Sequence, residues 1–380
     1  MKSIELFAGG GGLGIGLHRA GFHPIKVVER DKHCCATIRK NQKRRVSAVK
    51  SWKLFEGDVR DIKFSEFEGK VQLVSGGPPC QPFSLGGQHR AHQDVRDMFP
   101  QAIRAVREAR PKAFIFENVK GLTRNTFRNY FEHIRLQLQY PDVQAREGES
   151  YGDHLARLEK HHTSNGKQSL TYRVVTQLVN AADYGIPQKR ERVFFVGVRE
   201  DLNVSWSFPA PTHSREALEW DQVRGSYWDR HKVARKDRIL PYYKEDLLDG
   251  DQLQLSPWKT VRDAIGDLPN PESEIAASKK LLNHRFQPGA RTYPGHTGSP
   301  LDEPAKALKA GVHGVPGGEN MLRTPDEKVR YFTVRESARL QTFPDNYEFE
   351  GSWTETMRQL GNAVPVELAR VVGRDVARYL

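Results

Sequence analysis

Through the first 200 residues, short β-rich runs alternate with helical patterns: "SIELFA" then "LGIGLHRA", "IKVVE" then "CCATIRKNQK", "VQLVS" then "MFPQAIRAVREA", and finally "AFIFENV". A strand followed by a helix rejoins its sheet in parallel, so this rhythm predicts an α/β fold, a doubly wound and mostly parallel sheet covered by helices on both faces. The runs "YRVVTQLVN" and "RVFFVGVR" bring the expected sheet to at least six strands. Residues 141–170 are polar without a sustained period and read as an irregular surface insertion, with His154, His161 and His162 solvated. From 201 to 329 proline, glycine, tryptophan and basic residues interleave, as in "WDRHKVARKDR" and "YPGHTGSP", which predicts a second, smaller, loop-rich domain. The last stretch turns helical again. It sets Val366, Leu368, Val371, Val372, Val376 and Leu380 largely along one stripe, so residues 330–380 are expected to pack back on residues 1–200 as one domain.

Charge narrows the partners. Lys and Arg exceed Asp and Glu by a net +12, which favours a polyanion; nucleic acid is the first candidate, a well-solvated basic surface the alternative. No run approaches the length of a membrane span and the first residues lack the apolar core of a secretory signal, so no membrane partner and a cytoplasmic location are expected. The three cysteines, Cys34, Cys35 and Cys80, suit neither a disulfide framework nor a metal site, and no metal is expected.

Four motifs carry chemistry. In "LFAGGGGLGIG" the glycines Gly9, Gly11 and Gly14 fit GxGxxG between a strand and a helix, and Glu29 ends the next strand twenty residues after Gly9. Glycines let a backbone approach a nucleotide and the carboxylate accepts ribose hydroxyls, although the pattern does not say which nucleoside. Asp58, in "EGDVRD", follows the next expected strand and could take an adenine amino group, or serve as a turn residue. In "VSGGPPCQPFS" Cys80 sits between Pro78, Pro79 and Pro82 at the carboxyl end of a strand, where α/β sheets bind ligands. A thiol there is a candidate nucleophile if Arg90, Arg96, Arg190 or Arg192 lowers its pKa. Cys34 and Cys35, on a helical pattern, read as buried and inert. Glu117, in "FIFENV", ends an apolar strand where desolvation fits a carboxyl to share a proton near neutral pH. Gln188, Arg190 and Arg192, in "PQKRERVFFV", alternate along a strand start and are expected to aim at one site.

Together "FAGGGG", "PPCQPFS", "ENV", "QKRER", "RLQTFP" and "GNAVP" stand in the order and approximate spacing of the cytosine-C5 DNA methyltransferases, which the chain closely resembles over residues 3–200 and 330–380. The resemblance implies a Rossmann-like catalytic domain that uses S-adenosylmethionine and a target-recognition domain over residues 201–329. Cys80 then matches the nucleophile that adds to C6 of cytosine, so that C5 can accept the methyl group. Glu117 matches the acid that engages N3 and the exocyclic amine, and Arg192 and Arg190 match the groups beside O2 and the active-site loop, with Gln188 of the same motif counted in the catalytic set. Phe7, Gly9, Gly11, Gly12, Glu29, Asp58, Pro79, Met98, Asn362 and Ala363 match cofactor contacts. Gln81, Ser84 and Arg96 belong to the loop expected to contact DNA. A base inside a duplex cannot present C6 to a thiol, so the target has to be swung out of the stack.

The expected partner is duplex DNA, bound by a monomer that works beside a separately acting restriction endonuclease. Where the family often has a threonine followed by an aliphatic residue, this chain has Ala307 and Leu308. The rival readings are a tRNA cytosine-C5 methyltransferase, a catalytically silent DNA-binding protein and a nicotinamide-dependent enzyme; complete Cys80, Glu117 and Arg192 argue against the last two.

Overall fold

The computed structural model describes residues 1–79, 97–164, 170–239, 254–273, 281–310 and 318–380, so Cys80, Gln81, Ser84, Arg90 and Arg96 lie outside the described residues. The centre of the fold is one seven-stranded sheet. Its first five strands, β1 (Lys2–Leu6), β2 (His23–Glu29), β3 (Leu54–Glu56), β4 (Leu73–Gly76) and β5 (Ala113–Val119), pair in parallel. After β6 (Tyr172–Asn180) and the two-residue β7 (Gln188–Lys189), strand β8 (Glu191–Arg199) inserts antiparallel between β5 and β6. The order is β3-β2-β1-β4-β5-β8-β6. Every residue of β4 and all but the last of β5 are buried, as strands covered on both faces must be.

Five helices follow these strands in the first half: α1 (Gly12–Arg19), α2 (Lys32–Lys43), α3 (Phe99–Ala109), α4 (Arg128–Gln139) and α5 (Tyr151–Thr163). The C-terminal stripe behaves as expected. In the helix Val366–Ala377, Leu368, Val372 and Val376 are buried in the apolar cluster of Leu13, Leu17, Leu73 and Ile115, while Val366 is buried in the neighbouring cluster of Ala8, Ile15 and Ala363. The contact with α1 is close: a Cβ on Gly12 would fall 2.3 Å from the carbonyl oxygen of Val364, and one on Gly16 2.3 Å from that of Val366. The glycine run therefore serves helix packing as well as the turn.

The insertion is the clearest departure from expectation. Residues 151–163 form α5, started by Ser150, whose hydroxyl accepts from the Asp153 N–H at 3.2 Å. Leu155 and Leu158 pack on Leu136 and Tyr140 of α4. Tyr151, His154, Leu155 and Leu158 are spaced i, i+3, i+4, i+7, a helical stripe that the charged majority obscured. His154 is buried rather than solvated, its Nδ1 3.1 Å from His133 Nε2 and its Nε2 2.9 Å from the Val143 carbonyl. Burial and the His154 ring push His133 down to about 3. His161 is half-buried, and only His162 of the three is exposed.

Between 201 and 329 the described elements are short: the strand pair His213–Ser214 with Ser256–Pro257, the helices Arg215–Val223 and Val261–Ile265, and the strands Ser299–Pro300 and Met321–Arg323, which join Val329–Tyr331. A small cluster of Leu218, Tyr227 and Trp228 anchors them, and Asp302 ties Arg262 at 2.6 Å and the Tyr227 hydroxyl at 2.8 Å. Among the described residues no helix is long and apolar enough to cross a membrane.

Candidate active site

The carboxyl ends of β1 to β5 open on one cleft of about 1260 Å³, at the point where strand order reverses between β1 and β4. One end is built around Glu29. Phe7 (φ 54°), Gly9 (φ 53°) and Gly11 (φ 91°) occupy left-handed conformations that turn the chain from β1 into α1; a phenylalanine held there stores strain at the cleft wall. The turn brings the Gly9 N–H to Glu29 Oε2 at 2.7 Å, while Oε1 accepts from the N–H groups of Arg30 (2.8 Å) and Asp31 (2.7 Å). Burial still raises the Glu29 pKa, outweighing these bonds. Asp58, just past β3, accepts from the Arg60 N–H at 2.9 Å, and Arg30 stands 3.6 Å away. Phe7, Val59, Pro79 and Met98 supply apolar walls, and Asn362 and Ala363 also line the cleft. Gly12 lines the cleft, whereas Gly11 lies behind it, against Tyr347 and Trp52.

The other end is built around Glu117, buried at the end of β5. Arg192 of β8, paired with Val119 across the two strands, donates from Nε to Glu117 Oε1 at 2.8 Å. Burial dominates both partners: it raises the Glu117 carboxyl against the pull of Arg192 and Arg190, and lowers the Arg192 guanidinium. Gly77 passes against the carboxylate, since a Cβ there would stand 3.4 Å from Glu117 Oε2. Asn118 donates to the Pro78 carbonyl at 2.9 Å, and Met98 N–H to the Pro79 carbonyl at 3.1 Å, so the chain on both sides of residues 80–96 is fixed to the cleft.

Gln188 and Arg190 depart from the expectation that they share this site. Both are fully buried and their polar atoms bond main-chain groups of Leu308, Leu340 and Gly361. The run is not one strand: β7 ends at Lys189 and pairs with Ala305–Lys306, and β8 starts at Glu191, so alternation along a single strand does not carry from Gln188 to Arg192. Conversely, the cleft includes groups the sequence reading passed over. Asp31 caps α2 and is held by Arg358 at 2.8 Å, a contact spanning 327 residues. The cap could be read from an Asp before a helical run; the arginine could not. Cys34 lines the cleft and Cys35 lies beside it; both are free and buried, with thiols pushed up by burial. Among the described residues no group of three or more His, Cys, Asp or Glu could hold a metal ion.

The profile of the C-5 cytosine-specific DNA methylases matches residues 1–141 and 159–378. The chain belongs to that family. This methylase is 32% identical to the type II methyltransferase M.PspPI of Psychrobacter sp., over 99% of its own length and 79% of the relative's. It is 31% identical to M.FnuDI of Fusobacterium nucleatum, over 100% and 95% of the two chains. The solved structure of S. pombe Dnmt2 methyltransferase superposes with a TM-score of 0.56 at 16% identity, covering 100% of the methylase and 99% of that chain, a likeness of fold. The stretch the family profile passes over, residues 142–158, carries the first half of α5. The methylase is therefore a DNA cytosine-C5 methyltransferase, and the mostly parallel sheet is its Rossmann-like core.

Proposed function

We propose that the cleft binds S-adenosylmethionine at its Glu29 end and a cytosine swung out of duplex DNA at its Glu117 end. The observation that carries this reading is the distribution of polar groups in one continuous cleft: Glu29, Asp58 and the Arg358-paired Asp31 beside apolar walls at one end, a buried carboxyl paired with a guanidinium at the other. The first set fits an adenosine. Glu29, its carboxylate already oriented by three backbone N–H groups, suits a ribose diol; Asp58 suits an adenine amino group; Phe7, Val59 and Met98 suit the ring faces. Bound S-adenosylmethionine supplies the electrophilic methyl group.

The protein's own work is on the base. The Cys80 thiolate adds to C6 of the cytosine, the C5–C6 π pair moves to C5–C4 and the C4–N3 π pair to N3, and Glu117 donates its proton to N3, leaving an enamine nucleophilic at C5. Its raised pKa suits that donor role, and Arg192 orients the carboxyl. After methylation, removal of the C5 proton expels the thiolate and Glu117 recovers its proton. Gly77, three residues before Cys80, packs on Glu117, which supports a nucleophile close to that acid. Residues 81–96, with Gln81, Ser84 and Arg96, would contact the DNA around the target, and residues 201–329 would read its sequence. The +12 charge supports a duplex partner. The type II names of its relatives support a place in a restriction-modification pair; the chain would act as a monomer in the cytoplasm.

Tritiated methyl transfer to mixed-sequence duplex DNA and, separately, to bulk tRNA tests the reading, with Cys80→Ser alongside. Label in DNA that disappears in Cys80→Ser is expected, with binding of S-adenosylhomocysteine retained; label confined to tRNA would overturn the substrate assignment.

A further inference from the structure

Gln188 and Arg190 do not line the cleft that Arg192 lines, and what they do reach is specific. Gln188 Oε1 accepts from the Leu308 N–H at 3.1 Å and its Nε2 donates to the Leu340 carbonyl at 3.3 Å. Arg190 donates to the Leu308 carbonyl at 3.1 Å and to the Gly361 carbonyl at 2.6 Å. The same join is closed by the backbone, where β7 runs parallel to Ala305–Lys306 and the Ala305 N–H donates to the Pro187 carbonyl at 3.0 Å. From the far side Asn320 brackets Lys309, accepting from its N–H at 3.1 Å and donating to its carbonyl at 3.2 Å. The fit at Gly361 is tight: a Cβ there would fall 2.5 Å from the Ala310 nitrogen.

Stability alone accounts poorly for this arrangement. A fully buried guanidinium is costly, and Arg190 bonds only carbonyls among the described residues, with Nε unpartnered. An apolar chain of similar length would fill the space. What directional bonds to both sides add is a fixed register between three separate segments. One of them, residues 305–310, belongs to the region assigned above to target reading; another, Gly361, precedes Asn362 in the wall of the cleft.

We propose that Gln188 and Arg190 are positioning residues that lock residues 305–310 and the Asn362 wall to the strand carrying Arg192, so that reading of the DNA sequence is coupled to the geometry around the target base. The proposal rests on the assignment of the cleft and of residues 201–329 made above. It divides the labour between the two side chains, because Gln188 touches the recognition segment but not Gly361, whereas Arg190 touches both.

The test compares wild type, Gln188→Met and Arg190→Met, with the target site first mapped by bisulfite sequencing. Two quantities are measured: the ratio of methylation at that site to methylation at a site with one base pair changed, and the affinity for S-adenosylhomocysteine by calorimetry. Gln188→Met is expected to lose roughly tenfold in discrimination, about the effect of one mismatched base pair, with affinity for S-adenosylhomocysteine kept. Arg190→Met is expected to lose discrimination and roughly fivefold in that affinity, a loss of about 1 kcal/mol. Equal slowing on both sites, with discrimination intact in Gln188→Met, overturns the proposal. If Arg190→Met fails to melt cooperatively, Arg190→Lys, which keeps the charge and can reach only one carbonyl, replaces it and should fall between wild type and Gln188→Met in discrimination. A wild type that labels no DNA overturns the assignment of the cleft instead, and the S-adenosylhomocysteine affinities still judge the Gly361 half of the clamp.

Discussion

The two ends of the cleft are both organised by a glutamate at the carboxyl end of a strand, yet they hold it in opposite ways. Glu29 is surrounded by main-chain donors within two residues of itself and from the adjacent turn, with Asp58 placed by its own local turn. Glu117 is more deeply buried and meets a side-chain guanidinium from a strand that lies far along the chain. Backbone donors orient a carboxylate and leave it to accept hydroxyls. A buried ion pair instead leaves protonation open to change, which suits a group that must give up a proton and take it back. On the proposed reading, the difference sets an end for recognition against an end for chemistry.

The sharpest way to break this division is Glu117→Gln. Loss of the proton donor is expected to slow methyl transfer by about 10²–10⁴-fold, read from single-turnover rates, while affinity for S-adenosylhomocysteine stays at the wild-type value. If that affinity fell in step with the rate, the two ends would not be separable.

The converse substitution, Glu29→Ala, should move the other quantity. Removing the acceptor for a ribose diol is expected to weaken S-adenosylhomocysteine binding by roughly tenfold, measured by calorimetry, with the rate at saturating methyl donor changed little by comparison. A large fall in the saturated rate would mean that Glu29 also sets the position of the reacting centre.

The same contrast explains how much was legible in the sequence. The Glu29 end could be read because its parts are local: a glycine turn, a strand and an acid at fixed spacing. Met98 and Asn362 were reachable only through the family resemblance, and they too line the cleft. Where contacts span the chain, reading failed. Gln188 and Arg190 alternate with Arg192 in the sequence, but their ends lie at Leu308 and Gly361, more than a hundred residues away. Arg358 escaped for the same reason, its partner Asp31 being 327 residues distant. In α5 the failure was one of composition, since a short apolar stripe of Tyr151, His154, Leu155 and Leu158 sufficed to fold a charged segment once α4 was there to cover it.

The smallest expected effect concerns pH, and a second buried glutamate makes its sign worth working out. Glu5, in the middle of β1, is buried with a hydrogen bond from the Ser75 hydroxyl, and burial raises its pKa from 4.5 to about 8. A carboxyl that holds its proton more tightly when folded stabilises the fold fully below its unfolded pKa and loses that contribution as pH rises towards about 8. Glu117 is shifted in the same direction, so its stability contribution is lost in the same sense, and on the proposed reading transfer also falls as pH rises through its folded pKa. In that reading, thiolate formation at Cys80 would work against the fall. Stability and activity should therefore both decline on the alkaline side, but for different residues. Glu5→Gln is expected to flatten the fall of the melting temperature between pH 4.5 and about 8 and to leave the alkaline limb of the single-turnover rate in place, because Glu5 lies outside the cleft lining. Glu117→Gln should remove that limb from its reduced rate. If Glu5→Gln shifted the limb instead, the proton required for transfer would not be the one on Glu117, and the chemical end of the cleft would have to be reassigned.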